Sequence, residues 1–166
     1  MRGNSGAGKS SVARGIRTSV GRTLALVEQD YLRRVVLKEH DTPGAANIRL
    51  IDQVVRFALN EDKDVLLEGI LWSGHYGEML NRLRNDHQGR TWAYYLDVTF
   101  EETCARHATR PQAAEFTVEE MRRWYRTEDP LGWETEHHVP SSSALVDTVE
   151  LILHQTDLRR TPSIDS

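Results

Sequence analysis

The sequence predicts an α/β fold in which a parallel sheet is covered by helices on both faces. Three observations predict it. Short apolar segments alternate with segments whose apolar residues recur every three or four positions. A glycine-rich stretch near the amino terminus leads directly into one of the helical segments. The length of 166 residues matches one domain, which we place at residues 1–157, followed by a polar tail at residues 158–166.

Four segments are predicted strands, and seven are predicted helices. Residues 22–29, 64–70 and 91–98 are short apolar runs, and "TEHHVP" at residues 135–140 is a weaker fourth. Between them, helical spacing covers residues 9–20, 31–39, 47–60, 101–110, 117–126 and 141–156. A further helix has Tyr76, Met79, Leu80 and Leu83 on one side and ends near "HQG". Such alternation implies parallel strands, and ligands of parallel sheets lie beyond the carboxyl ends of the strands.

Composition narrows the classes of function. The formal net charge of −4 argues against nucleic-acid binding, although it allows a local basic pocket for phosphates. No apolar run reaches the length of a membrane span. One cysteine, Cys104, excludes an internal disulfide, and no signal peptide is recognisable, so we expect a cytoplasmic protein.

The segment "RGNSGAGKSS" carries the most specific motif. Gly3, Gly8, Lys9 and Ser10 fit the pattern G-x-x-x-x-G-K-[ST], a phosphate-binding loop or P-loop. Backbone amides and the helix N-terminus would bind the phosphates, Lys9 would neutralise the outer phosphates, and Ser10 would ligate magnesium. The predicted nucleotide-binding residues are Gly3, Asn4, Ser5, Gly6, Ala7, Gly8, Lys9, Ser10 and Ser11.

Acidic residues follow two of the predicted strands. Asp30 could accept the proton of an acceptor hydroxyl during phosphoryl transfer, or could cap the helix that begins after it. Glu68 interrupts an apolar run, so it requires a partner: hydrated magnesium or substrate in one interpretation, a structural arginine in the other. Arg33 and Asp129 complete the predicted substrate residues, although an acid in a loop such as Asp129 is a weaker indication.

Two arginines share one helical face. Arg106 and Arg110 are four residues apart in "RHATR", a spacing that places both side chains on the same side of a helix. A bound anion explains such a pair, and arginines of this kind stabilise the charge on a transferring phosphoryl group. The alternative is a solvated basic face balanced by Glu101 and Glu102. Adjacent His137 and His138 would point to opposite faces of a strand, which argues against a shared metal ion.

These motifs together resemble the P-loop small-molecule kinases. The likeness runs through "RGNSGAGKSS", "VEQDYLRR", "LLEGIL", "YYLDVTFEET", "RHATRPQAAEF" and "LGW". It is closest to the bacterial group labelled AAA-domain or uridine-kinase-like, and more distant to zeta-toxin sugar kinases and chloramphenicol phosphotransferase. The resemblance implies a three-layer nucleoside-kinase-type fold with strand order 2-3-1-4-5, ATP with Mg²⁺, and a lid bearing Arg106 and Arg110. It also implies that Asp30 activates the acceptor hydroxyl.

The sequence departs from this family at its beginning. The family carries an apolar strand before the P-loop, whereas only Met1 and Arg2 precede the loop here. We therefore expect the first strand to be absent, with the start codon placed too late and Met1 originally at the end of that strand. The neighbours of the missing strand would then have unpaired backbone groups, unless another segment fills its place.

The predicted activity is transfer of the γ-phosphoryl group of ATP to a hydroxyl of a small metabolite, antibiotic, sugar or nucleoside. ATP is the default because no N-K-x-D guanine motif occurs. Two alternatives stay open: a toxin-like nucleotide-sugar kinase, and a nucleotide-binding module without catalysis. We expect a monomer or homodimer whose partner is the small-molecule substrate, with no nucleic acid and no membrane.

Overall fold

The computed structural model describes residues 1–108 and 117–158. It contains five parallel β-strands alternating with helices. The strands are β1 (Arg2–Gly3), β2 (Leu24–Glu28), β3 (Asp64–Glu68), β4 (Ala93–Asp97) and β5 (Glu136–Pro140). The α-helices are α1 (Lys9–Val20), α2 (Ala46–Asn60), α3 (Ser73–Asp86), α4 (Phe100–Ala108), α5 (Val118–Trp124) and α6 (Leu145–Thr156), and a π-helix spans Tyr31–Val36.

The strand order agrees with the predicted 2-3-1-4-5. Parallel ladders join β2 to β3, and β1 to β4 and β4 to β5. Met1 connects the two groups, because its nitrogen donates to the Leu67 carbonyl at 2.7 Å and its carbonyl accepts from the Gly69 amide at 3.3 Å. The expectation that the first strand is absent is therefore wrong: β1 is present but has only two residues.

Helices cover both faces of the sheet, as predicted. On one face, α1 and α6 pack against each other and contribute Val12, Ile16 and Ile152 to an apolar cluster with β4 and β5. On the other face, α2 and α3 contribute a second cluster that includes Ile51 and Met79. This three-layer arrangement brings the carboxyl ends of the strands to one edge of the sheet.

Within the described ranges, no helix combines the length and the apolar character that a membrane span requires. The lid predicted around Arg110 falls mostly in residues 109–116, and the predicted tail falls mostly in residues 159–166, both outside the described residues.

Candidate active site

The P-loop lies at the carboxyl end of β1 and turns directly into α1. Gly6 and Gly8 have φ angles of +85° and +100°, a left-handed conformation that glycine adopts without strain. Gly3 packs so closely that a Cβ atom there would lie 2.7 Å from the Leu96 carbonyl oxygen. The loop therefore needs glycine at these positions, and it aims the N-terminus of α1 at the space where phosphates would bind.

Lys9 and Ser10 occupy the first turn of α1. The Lys9 ammonium donates to the Asn4 carbonyl at 2.9 Å, and the residue is only 8% exposed. The Ser10 hydroxyl donates to Glu68 Oε1 at 2.9 Å, which connects the P-loop to the end of β3. The lysine thus folds back over the loop, within reach of an incoming phosphate.

Glu68 is almost completely buried, at 4% exposed. Across residues 1–108 and 117–158, no arginine or lysine lies within ion-pair distance of its carboxylate, so the predicted alternative of a structural arginine is not observed. Its side-chain partner is the Ser10 hydroxyl instead. A hydroxyl and a carboxylate held together provide the hard oxygen donors that Mg²⁺ prefers.

The described residues contain no cluster of three or more acidic, histidine or cysteine side chains that could hold a metal ion. A magnesium ion beside Ser10 and Glu68 would therefore take most of its ligands from phosphate oxygens and water, which is the usual manner of Mg²⁺ binding in phosphoryl-transfer sites. The residues present fit that role.

Arg106 crosses from α4 onto the P-loop. Its Nη1 donates to the Ala7 carbonyl at 3.2 Å, and its Nη2 donates to the Ser141 carbonyl at 3.4 Å. A hydrogen bond from the Ser141 side chain and, to a smaller extent, the charge of Arg106 lower the pKa of Glu102, so the basic face balanced by acidic residues stays the alternative interpretation of this arginine. Arg110 lies outside the described residues, so the pairing of the two arginines stays a prediction.

A cavity of about 400 Å³ adjoins the P-loop on the side of Arg106. Its walls are backbone and side chains of Ala7, Gly8 and Val12 on one side and of the segment Ser141–Leu145 on the other. This cavity is large enough for the base or the ribose of a nucleotide whose phosphates lie on the P-loop. No sequence motif predicted this cavity, and the serines before α6 are the feature of the sequence that lines it.

Asp30 lies immediately beyond the carboxyl end of β2, as predicted. It occupies the N-cap position of the π-helix, yet its side chain makes no capping hydrogen bond. Its Oδ1 pairs with Arg33 Nη2 at 2.8 Å, and the Asp30 side chain is 59% exposed. The structure therefore brings the two predicted substrate residues together and leaves the carboxylate of Asp30 accessible to an acceptor molecule.

Asp129, unlike Asp30, is buried and has partners within the protein. It is 7% exposed, and its carboxylate accepts hydrogen bonds from the Arg2 guanidinium, at 2.8 Å, and from the Ser73 amide, at 3.1 Å. These contacts join β1 to the beginning of α3. The predicted substrate role of Asp129 has no support in this geometry, because its oxygens are already used by the protein.

Sequence reasoning missed a polar cluster around the Tyr76 hydroxyl, which includes Gln29, the residue before Asp30. The Tyr76 hydroxyl accepts a hydrogen bond from Gln29 Nε2 at 2.7 Å and lies 2.9 Å from Asp41 Oδ1 and 2.8 Å from Asn47 Oδ1. His75 Nδ1 is 3.3 Å from the same Asp41 oxygen. Burial raises the pKa of Tyr76, with the Asp41 carboxylate as a further cause, so its hydroxyl stays protonated.

Arg126 is a second residue that sequence reasoning missed. Its amide donates to Asn4 Oδ1 at 2.9 Å and its carbonyl accepts from Asn4 Nδ2 at 2.8 Å, a reciprocal pair between residues 122 positions apart. The Arg126 guanidinium lies 4.5 Å from the Trp72 ring, and Trp72 in turn contacts His75. In the part of the chain that the structure describes, no carboxylate pairs with this guanidinium.

Comparison with known proteins supports the fold. No protein-family model matches this sequence, and no curated protein matches it. Among solved structures, the fold is that of P-loop kinases. A gluconokinase from Sinorhizobium meliloti 1021 superposes with a TM-score of 0.62 at 19% identity, covering 92% of this chain and 87% of its own.

A sugar kinase from Janibacter sp. HTCC2649 superposes with a TM-score of 0.67 at 16% identity, covering 99% of this chain and 95% of its own. At such identities the likeness shows the fold alone, and it confirms the predicted fold class. The specific relationship to zeta-toxin or chloramphenicol phosphotransferase is not confirmed.

Proposed function

We propose that this chain is a kinase that transfers the γ-phosphoryl group of ATP to a hydroxyl of a small molecule, with Mg²⁺ as cofactor. The observation that carries the proposal is the arrangement of Lys9 and Ser10 at the start of α1, with the Glu68 carboxylate 2.9 Å from the Ser10 hydroxyl. The kinase fold and the kinases among the structural neighbours support the same class.

The P-loop, Lys9, Ser10, Glu68 and Arg106 form the phosphate side of the proposed site, which would bind the phosphates of ATP and stabilise their charge. The amides of the P-loop and the N-terminus of α1 would bind the phosphates, while Lys9 would exchange the Asn4 carbonyl for phosphate oxygens. Arg106 lies over the same loop and would neutralise charge on the transferring group. Ser10 and Glu68 would hold magnesium, which would supply further neutralisation of phosphate charge.

Asp30 and Arg33 form the acceptor side of the proposed site, where one proton would be transferred. The acceptor oxygen forms a bond to the γ-phosphorus as the bond to the bridging oxygen of ADP breaks, and the electron pair of that bond leaves with ADP. The acceptor hydroxyl proton passes to the Asp30 carboxylate. Because Asp30 is paired with Arg33, the acceptor hydroxyl would replace the Arg33 guanidinium as the partner of the Asp30 carboxylate when it binds.

The acceptor side also supports a hydroxyl-rich substrate. Asp41 contacts His75, and Arg126 lies against Trp72, which in turn contacts His75. Together these residues offer both hydrogen-bond acceptors and donors. A sugar or a sugar acid fits this chemistry, and two structural neighbours are described as a gluconokinase and a sugar kinase. We place the acceptor in that class and the protein in the cytoplasm, acting as a monomer or homodimer.

The test is ADP formation by the purified chain with ATP and Mg²⁺, against a panel of sugars, sugar acids, polyols and nucleosides. We expect slow release of ADP alone and faster release with the correct alcohol. Lys9→Ala should abolish both, while Lys63→Ala, at an exposed position, should not change either. An active Lys9→Ala protein would contradict the proposal, and ATP binding without turnover on any acceptor would favour a non-catalytic module.

A further inference from the structure

Gln29 is a polar residue that the fold buries almost completely. It directly follows β2 and precedes Asp30, the residue proposed to accept the proton, and it is only 1% exposed. A buried amide side chain is costly unless its carbonyl oxygen and its amide hydrogens have partners. The partners of Gln29 therefore show which parts of the protein this side chain holds together.

A backbone donor fixes the orientation of the Gln29 amide group. The Leu71 amide donates to Gln29 Oε1 at 3.0 Å, and a backbone N–H can only donate, so the side-chain oxygen must face it. Nε2 then donates to the Tyr76 hydroxyl at 2.7 Å and to Asp41 Oδ2 at 3.4 Å. Both polar atoms of Gln29 are thus engaged within the protein, as expected of a side chain that positions its neighbours.

Leu71 has a backbone conformation that needs such support. Its φ angle is +45°, in the left-handed region that residues with a Cβ atom rarely adopt, and the residue is 1% exposed. A strained conformation of this kind persists only where the surrounding structure holds it. The hydrogen bond to Gln29 Oε1 supplies support for it from the end of β2.

The turn that contains Leu71 lies directly against Gln29. A Cβ atom at Gly69 would be 2.2 Å from Gln29 Oε1 and 2.5 Å from Gln29 Cβ, both shorter than a non-bonded contact allows. Glycine at this position therefore lets the chain after β3 approach the amide group. The same chain continues into α3, which begins at Ser73.

The residues that follow this turn belong to the proposed acceptor contacts. Trp72 comes directly after Leu71, and its ring centroid is 4.3 Å from that of His75. His75 Nδ1 lies 3.3 Å from Asp41 Oδ1, while the other Asp41 oxygen accepts from Gln29. Gln29 therefore contacts both ends of this series of residues, at Leu71 and at Asp41.

Tyr76 connects the same group to the pair formed by Asp30 and Arg33. Burial raises the pKa of the Tyr76 hydroxyl, and the Arg33 guanidinium is near enough to oppose that rise in part. Arg33 in turn pairs with Asp30 at 2.8 Å. The Asp30–Arg33 pair is thus close to Tyr76 in space and next to Gln29 in sequence.

We propose that Gln29 is a positioning residue of the acceptor side, which holds the turn at Leu71 and the carboxylate of Asp41 in the arrangement that binds the acceptor. This inference rests on the proposed function, because that function defines the acceptor side. Loss of the Gln29 amide should weaken binding of the acceptor and leave binding of ATP unchanged, since the hydrogen bonds of Lys9 and Ser10 do not involve it.

Two substitutions separate the contacts of Gln29. Gln29→Met has a side chain of similar length and removes all of its hydrogen bonds. Gln29→Glu retains an oxygen for the Leu71 amide but loses the donor and puts a second carboxylate beside Asp41. Gln53→Met and Gln53→Glu, at an exposed position of α2, are the matched controls.

Amide hydrogen exchange of the ligand-free proteins tests the contact with Leu71 without catalysis. We expect the Leu71 amide to exchange at least about tenfold faster in Gln29→Met and at the original rate in Gln29→Glu. The amide of Ile51, a fully buried residue of α2, is the internal control for general destabilisation. An unchanged Leu71 rate in Gln29→Met, or an equal acceleration at Ile51, would overturn the proposal.

Steady-state kinetics tests the effect on the acceptor. The probe is the compound with the highest kcat/KM for the unsubstituted chain in the panel of sugars, sugar acids, polyols and nucleosides. We expect its KM to rise at least about tenfold in both Gln29 variants, with the KM for ATP within about twofold of the original value. A purely structural role would instead reduce the active fraction, which lowers kcat and leaves both KM values unchanged.

Gln29→Glu decides the question by itself if Gln29→Met does not fold. An unchanged KM for the acceptor in the Gln29 variants, or a parallel rise in the KM for ATP, would overturn this inference and leave the proposed function intact. Absence of turnover by the unsubstituted chain on every compound of the panel would contradict the proposed function and this inference together.

Discussion

The proposed phosphate side and the proposed acceptor side of the site differ in how their residues are held. On the phosphate side, Lys9 and Glu68 are 8% and 4% exposed and are held by neighbours within the P-loop and the end of β3. On the acceptor side, the Asp30 side chain is 59% exposed and is held by one ion pair to Arg33. For the proposed function, this difference means that the residues expected to bind phosphate are fixed before the ligand binds, whereas the Asp30 side chain has room to move around an acceptor.

Among the variants that test this comparison, removal of the Arg106 side chain should lower kcat the most. Arg106→Ala takes away a guanidinium that lies over the P-loop, and we expect kcat to fall about 10³-fold, since arginines that neutralise a transferring phosphoryl group contribute on this scale. Steady-state ADP formation measures the change. Arg122→Ala is the control, because its exposed guanidinium stacks on Phe100. A near-normal kcat would remove Arg106 from the catalytic residues.

Asp30→Asn should have the next largest effect on kcat. The amide retains the shape of the carboxylate but accepts a proton poorly, so we expect kcat to fall about 100-fold with unchanged binding of ATP. Nucleotide affinity from calorimetry and kcat from ADP formation separate the two effects. The control is Asp62→Asn in an exposed turn with φ of +55°, which asparagine tolerates. Loss of ATP affinity in Asp30→Asn would place Asp30 on the phosphate side instead.

Glu68→Gln tests whether the buried carboxylate serves magnesium. Glutamine can still accept the Ser10 hydrogen bond, so we expect the fold to persist while the Mg²⁺ concentration for half-maximal activity rises about 10- to 100-fold. A magnesium titration at saturating ATP measures it, with Glu61→Gln at the exposed end of α2 as control. An unchanged magnesium dependence would indicate that Glu68 only positions Ser10.

The smallest effect is expected for Arg126→Ala. Its backbone would keep both bonds to Asn4, so the P-loop should be intact, while an anionic acceptor would lose a charge-assisted hydrogen bond. We expect the KM for the acceptor to rise about tenfold with the KM for ATP unchanged. Arg123→Ala, at an exposed position of α5, is the control. A rise in the KM for ATP alone would assign Arg126 to the nucleotide.

The two sides also differ in how far they could be predicted. The P-loop, Asp30 and Glu68 could be proposed from the sequence because each is marked by its neighbours in sequence, by a glycine pattern or by the end of an apolar run. Asp41, His75 and Arg126 have no such mark, since their positions depend on contacts between distant segments. Asp129 was placed with substrate because its burial against Arg2 and Ser73 cannot be read from a loop sequence.

By itself, the sequence determined the alternation of strands and helices, the parallel sheet and the position of the glycine-rich P-loop, because hydrophobic period and glycine spacing are local properties of the chain. Only the tertiary structure decided that Arg2 and Gly3 form a short strand, that the Asn4 side chain hydrogen-bonds to the backbone of Arg126, and that a cavity lies between β3 and β4. These features arise where segments far apart in sequence meet, and packing and backbone hydrogen bonding alone bring them together.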